Sequence, residues 1–167
     1  MIYYISGGER SGKSSYAQQL ALSISTTPIY VATARIWDNN FKDRVQRHTN
    51  DRDYRWTTIE EEKEISKHLR NNQTYVIDCV TLWLTNFFVD TKNDIEKSLI
   101  LVKDEFEKMR QSDTTLIIIS NEIGMGLHAQ TEVGRKFTEL QGWANQHIAK
   151  YADKATFMVS GLPVTLK

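Results

Sequence analysis

Residues 7–14 read Gly-Gly-Glu-Arg-Ser-Gly-Lys-Ser, the spacing G-x-x-x-x-G-K-[ST]. That pattern suits one kind of chemistry. Glycines let the backbone wrap so that successive N–H groups converge on phosphate oxygens, and a helix starting at the lysine adds its unsatisfied N-terminal donors. Gly7, Gly8, Glu9, Arg10, Ser11, Gly12, Lys13 and Ser14 therefore form a candidate polyphosphate cradle. In it Lys13 would meet the β- and γ-phosphates, and the Ser14 hydroxyl would face Mg²⁺. Such a site needs a carboxylate at the end of a neighbouring strand, and Asp78, closing TYVID, fits. Asp78 could instead cap a helix starting near Thr81. Asn121 and Glu122 follow TLIIIS and fall where ligands of open α/β sheets collect.

A second cluster lies at RVQRHTNDRDYRW, residues 44–56, where His48 sits among Arg44, Arg47, Arg52 and Arg55. If a helix begins at Asp38, Arg44 and His48 share one side and Phe41 and Val45 form the inward pair. A neutral imidazole is a competent nucleophile, and adjacent cations favour its neutral form and stabilise charge on an attacked phosphorus. The residues alone leave two readings open: a nucleophile held in a polyphosphate site, or a solvated histidine on a charged helix face.

The elements that must position these groups follow from the apolar pattern. Five runs, 2–6, 28–33, 74–79, 115–120 and 155–160, are mostly continuous in apolar residues, as in strands covered on both faces. Between them Ile95, Leu99, Val102, Phe106 and Met109 form one helical stripe, and Phe137, Leu140, Ala144, His147 or Ile148, and Tyr151 another. Alternating strands and helices predict an α/β fold with a mostly parallel sheet and helices on both faces. The chain reads as a single domain spanning residues 1–167.

Composition sets limits. Lys+Arg and Asp+Glu are both 21, so no overall field draws the chain to nucleic acid or to a membrane surface. No apolar run reaches the length of a membrane span. The strand-like start, MIYYISGG, and a single cysteine, Cys79, point to a reducing, cytoplasmic setting, with Cys79 a small buried hydrophobe. Thr91–Asp94 fits the guanine-reading pattern [NT]-K-x-D, but none of the eight glycines has an aspartate three positions earlier, as a D-x-x-G switch needs. A helix cap is the simpler account of TKND. His68 reads as a solvated helix position, His147 as bordering the last helix's packed side, and the tryptophans as packing anchors.

The order of motifs carries a resemblance over essentially the whole chain. GGERSGKS, VATARIWDNN, R-x-x-x-H at Arg44–His48, W-x-T-x-E at Trp56–Glu60, IDCVTLWLTN, SNEIGMG and VSGLPVTLK follow one another. In this the sequence resembles the bifunctional adenosylcobinamide kinase/adenosylcobinamide-phosphate guanylyltransferase family of cobalamin assembly. The resemblance implies two reactions. ATP or GTP phosphorylates the aminopropanol hydroxyl of adenosylcobinamide; then His48 takes GMP from GTP as a phosphoramidate and passes it to adenosylcobinamide phosphate. It further implies that Thr33, Ala34 and Arg35 touch nucleotide, that Thr49, Asn50, Asp51 and Arg52 bind guanosine or phosphate, and that Glu60 reads guanine. A carboxylate can accept both N1–H and N2–H of that base. Ser14 and Asp78 would hold Mg²⁺, the partners would be a corrinoid and nucleotide, and the assembly a homotrimer. After SNEIGMG the family's apolar pair and proline are replaced by LHAQTE, so no role passes to His128. Two other readings use the same motifs: a small-molecule P-loop kinase without a covalent step, and a nucleotide-sensing binding module.

Overall fold

The computed structural model describes residues 1–35 and 53–167. Seven strands form one sheet: β1 (Ile2–Gly7), β2 (Ile29–Ala32), β3 (Thr57–Glu60), β4 (Thr74–Asp78), β5 (Thr115–Ile119), β6 (Lys154–Val159) and β7 (Leu162–Thr165). Their spatial order is β3-β2-β4-β5-β1-β6-β7. The first six run parallel, and β7 returns antiparallel along β6. The helices are α1 (Lys13–Ile24), α2 (Val80–Asp90), α3 (Ile95–Arg110) and α4 (Glu132–Tyr151), with short 3₁₀ turns at Ile65–His68 and Ile123–Met125.

The continuous apolar runs are explained by what covers them. Strand side chains alternate between faces, and here both faces are dry. Tyr75, Ile77, Leu116 and Ile118 enter one cluster with Trp83 and Leu84 of α2, Val102 and Phe106 of α3, and Leu140 and Ala144 of α4. Val76, Ile117, Ile119 and Ile5 point the other way, onto Ala17 and Ala21 of α1. Among the described residues, one helix thus covers one face and three the other, giving the α/β layers expected. Both helical stripes pack as their periodicity implied, with Ile95, Leu99, Phe137 and Tyr151 at the margin of the larger cluster.

The helix starts have identifiable causes. Asp94 accepts from Lys97 N at 3.0 Å, so TKND is a cap as inferred, and Thr131 accepts from Gly134 N at 3.0 Å. The α2 helix starts at Val80 with Cys79 as its N-cap residue, and Asp78 does not cap it. Capping is therefore the wrong reading of Asp78.

Two strands go beyond the five apolar runs. β3 is an edge strand whose Thr57, Thr58 and Glu60 are exposed, so it has no continuous apolar signature. β7 is the opposite edge and contains Pro163, which is tolerated there because an edge strand can spare a ladder N–H. The other strand bounds shift by one or two residues from those read in the sequence.

Candidate active site

The glycine loop follows β1 and is shaped by contacts that exclude side chains. A Cβ on Gly7 would lie 2.6 Å from the Met158 carbonyl oxygen of adjacent β6. Gly12 takes φ 93°, and a Cβ there would approach Gly161 Cα to 3.2 Å. Gly161, in the β6–β7 turn, donates its N–H to the Ser11 carbonyl at 3.0 Å, so this hairpin braces the loop from outside. α1 starts at Lys13 with Gly12 as N-cap, and no side chain among the described residues caps it. Its first N–H groups are thus left for an anion.

Lys13 is buried, and its ammonium folds back to donate to the Gly8 carbonyl, with Ser11 Oγ 3.4 Å away. Burial holds its pKa below the usual lysine value, against the raising influence of Cys79, Asp78 and Glu9. A cation buried in this way would gain from a nearby anion.

Asp78 closes β4, two strands from β1 across β5. Its Oδ2 accepts from Ser14 Oγ at 2.9 Å and from Tyr30 Oη at 2.7 Å. Ser14 and Asp78, read separately from the sequence, therefore meet. They present hard oxygen donors side by side, a set suited to Mg²⁺, which takes few protein ligands alongside phosphates and water. Thr33, fully buried, donates its hydroxyl to the Cys79 carbonyl at 2.8 Å and its N–H to the Asp78 carbonyl at 3.1 Å. Cys79 is buried too, and burial followed by the charge of Asp78 pushes its thiol up to about 12. It is no nucleophile at neutral pH.

Arg35 stands at the same edge of the sheet. Its Nε contacts Glu62 at 2.6 Å, and its two terminal nitrogens reach the Asp90 carboxylate at 2.9 and 3.1 Å. Lys63 joins Asp90 at 2.6 Å. Hydrogen bonds from Arg35 and then Lys63 hold Asp90 well below the usual carboxylate range. Asn86 of α2, buried, donates to the carbonyls of Thr33 and Glu62 at 2.7 and 2.9 Å, locking this corner. Glu60 ends β3 opposite Ala32, with its side chain exposed.

His48, Thr49, Asn50, Asp51 and Arg52, together with Arg44, Arg47 and Trp37, lie outside the described residues. The chain leaves the described residues after Arg35 and returns at Asp53. There Arg55 is paired with Asp53 at 2.6 Å, and Trp56 meets Tyr30 edge-on with ring centroids 6.3 Å apart. Trp83 is fully buried and Trp143 is about half exposed. His68 lies on a 3₁₀ turn, 3.0 Å from Glu61, not on a helix face, and His128 is exposed. His147 packs against Phe106 and Tyr151 of the core margin. Tyr30, Asn86 and Asn145 were not singled out in the sequence.

Residues 3–166 match the family model described as cobinamide kinase / cobinamide phosphate guanyltransferase. The chain belongs to that family. It is accordingly an enzyme of a P-loop, nucleotide-binding kind. The bifunctional adenosylcobalamin biosynthesis protein CobP of Pseudomonas aeruginosa is 34% identical over 170 residues, covering 98% of this chain and 95% of the relative. CobU of Escherichia coli K12, described in the same words, is 27% identical over 182 residues, with both chains fully covered. In solved structures the fold recurs in a prototypical ATPase from the type III secretion system of pathogenic bacteria, at TM-score 0.60 and 10% identity. That match covers 98% of this chain and 56% of the ATPase, and it speaks for the fold alone. No helix among the described residues is long and apolar enough to cross a membrane.

Proposed function

We propose that this enzyme first phosphorylates the aminopropanol hydroxyl of adenosylcobinamide with ATP or GTP. It then transfers GMP from GTP through a guanylyl-histidine on His48 to adenosylcobinamide phosphate. The observation that carries the first half is the meeting of the P-loop hydroxyl of Ser14 with Asp78 at 2.9 Å, beside the dry ammonium of Lys13. Gly7–Gly12 and the first turn of α1 grip the triphosphate by backbone N–H groups, and Lys13 neutralises charge on its outer phosphates. Ser14 and Asp78 would hold Mg²⁺, which would supply positive charge against the phosphates.

In the second half His48 attacks the α-phosphorus, a P–N bond forms, and pyrophosphate leaves. The phosphate of the acceptor then attacks the same phosphorus and frees the imidazole. Arg44, Arg47 and Arg52 supply positive charge around that reaction. Thr33, Ala34, Thr49, Asn50 and Asp51 line the nucleotide, and Glu60 accepts from the guanine edge. Arg35 takes part through its backbone, or after exchanging Asp90 and Glu62 for phosphate, because its guanidinium is already bound by two carboxylates. The whole chain acts as one domain, in the cytoplasm and as a homotrimer, on a corrinoid too large for any closed pocket.

Incubation with α-labelled GTP tests this reading. Wild-type protein should retain acid-labile, base-stable label, and His48→Ala should retain none while still phosphorylating cobinamide. Absence of label on wild type, with phosphorylation intact, would reduce the enzyme to a kinase without a covalent step.

A further inference from the structure

The strand order places three chain ends side by side: Asp78 at the end of β4, Glu122 just beyond β5, and Gly7 at the end of β1. Asp78 is spoken for by Ser14 and Tyr30. Glu122 is held in a different way. Its backbone N–H donates to the Gly7 carbonyl at 3.2 Å, which seats the residue on the first turn of the P-loop. Its Oε1 accepts from Tyr4 Oη at 3.4 Å and from Asn145 Nδ2 at 3.2 Å.

Those two donors are themselves fixed. Tyr4 is 4% exposed, and burial, then the charge of Glu122, pushes its phenol upward, so it stays protonated and donating. Asn145 donates also to the Asn121 carbonyl at 3.0 Å, and its own oxygen accepts from Ser120 Oγ at 2.6 Å and Gln141 Nε2 at 3.0 Å. Ser120, Gln141 and Asn145 are all buried. Asn121 in turn reaches Thr81 Oγ1 at 2.9 Å. Every bond to the carboxylate ends on Oε1. Among the described residues Oε2 has no partner, and no lysine, arginine or histidine is paired with Glu122.

A purely structural acceptor for Tyr4 and Asn145 needs one neutral oxygen, which a glutamine would supply. A half-buried carboxylate, oriented by rigid neutral donors and with one oxygen open at the P-loop edge, can do more. We propose that Glu122 is the catalytic base of the phosphorylation step, its Oε2 receiving the proton of the acceptor hydroxyl. This rests on the kinase half of the reading above. The hydroxyl oxygen forms its bond to the γ-phosphorus as the bridging P–O bond to the β-phosphate breaks. The bond electrons leave with the nucleoside diphosphate, the hydroxyl proton passes to Oε2, and Glu122 later loses it to water. The guanylyl step has no such proton to remove, because its acceptor is already an anionic phosphate.

Glu122→Gln keeps the Oε1 acceptor and removes the base. Both activities are measured on the intact enzyme: γ-phosphate transfer to cobinamide, and retention of α-label from GTP. The ratio of the first rate to the second should fall about 10²–10⁴-fold. The KM for nucleotide should change little. Glu122→Asp, which keeps a carboxylate one methylene short, should recover part of the kinase rate. A parallel fall in both rates with an unchanged melting temperature would make Glu122 part of the general phosphate grip and overturn the assignment. An unchanged ratio would overturn it as well. If wild type retains label but transfers no γ-phosphate to cobinamide, the kinase reading itself fails, and that arm identifies which of the two was wrong.

Discussion

The two adjacent glycines that open the P-loop should respond very differently to one added methyl group. At Gly7 a Cβ would meet the Met158 backbone oxygen at 2.6 Å and Ser11 Oγ at 2.7 Å, at φ 154°. The serine can rotate away. The carbonyl cannot, because Met158 is paired in register with Gly7 inside the sheet. Relief therefore requires β1 and β6 to part. Overpacking costs about 1–3 kcal/mol and an unfavourable backbone angle about 1–3 more, so Gly7→Ala should lose about 4 kcal/mol if both fall mid-range. For a chain of this size that is about 8–16 °C in Tm. At Gly8 no heavy atom lies within 4 Å of the built Cβ. Gly8→Ala should leave the ligand-free Tm within about 2 °C, corresponding to about 0.5 kcal/mol or less. Calorimetry of both variants without nucleotide decides the matter. Equal melting temperatures for Gly7→Ala and wild type would mean that the loop is not clamped against β6 and that the account of its shape is wrong.

Two further outcomes follow from the titrating groups. Lys13→Met removes a buried cation whose pKa is lowered mainly by desolvation, so the ligand-free protein should melt no lower than wild type at pH 7. The rise in Tm produced by GTP should largely disappear, and kcat/KM of both reactions should fall at least about 10²-fold. Ligand-free destabilisation with an intact GTP response would contradict this. His147 has its pKa lowered by burial first and then by Lys103, partly opposed by Glu107, with Lys150 also facing it. Between its folded value and about 6.5 the unfolded chain binds more protons, so its contribution is complete above that window and is lost as pH falls through the folded value. His147→Gln should therefore lose less stability than wild type between pH 7 and pH 5 in paired denaturant titrations; parallel curves would refute the assignment.

What could be read from the sequence was what is local or periodic. The P-loop is legible because its spacing serves its own backbone. Asp78 is legible because a strand end is visible as the end of an apolar run. The helical stripes on α3 and α4 reach the core as written. The edge strands β3 and β7 escape because an exposed edge needs no apolar run. The groups that fix the site escape for another reason: Tyr30 reaches Asp78 across 48 residues, Asn86 reaches Thr33 across 53, and Tyr4 reaches Glu122 across 118. Such pairs are created by strand order, and no local window contains both partners.

The same strand order sets two carboxylates at one edge in different surroundings. Asp78 and Glu122 stand at neighbouring strand ends, β4 and β5, and among the described residues neither forms an ion pair with a cation. What separates them is the donor each receives. Asp78 takes the hydroxyl of Ser14, the second residue of α1. Glu122 takes a phenol and an amide from the protein interior, both on one oxygen, and leaves the other open. Tyr4→Phe, which removes one of the interior donors, should thus disturb phosphorylation more than the retention of GMP.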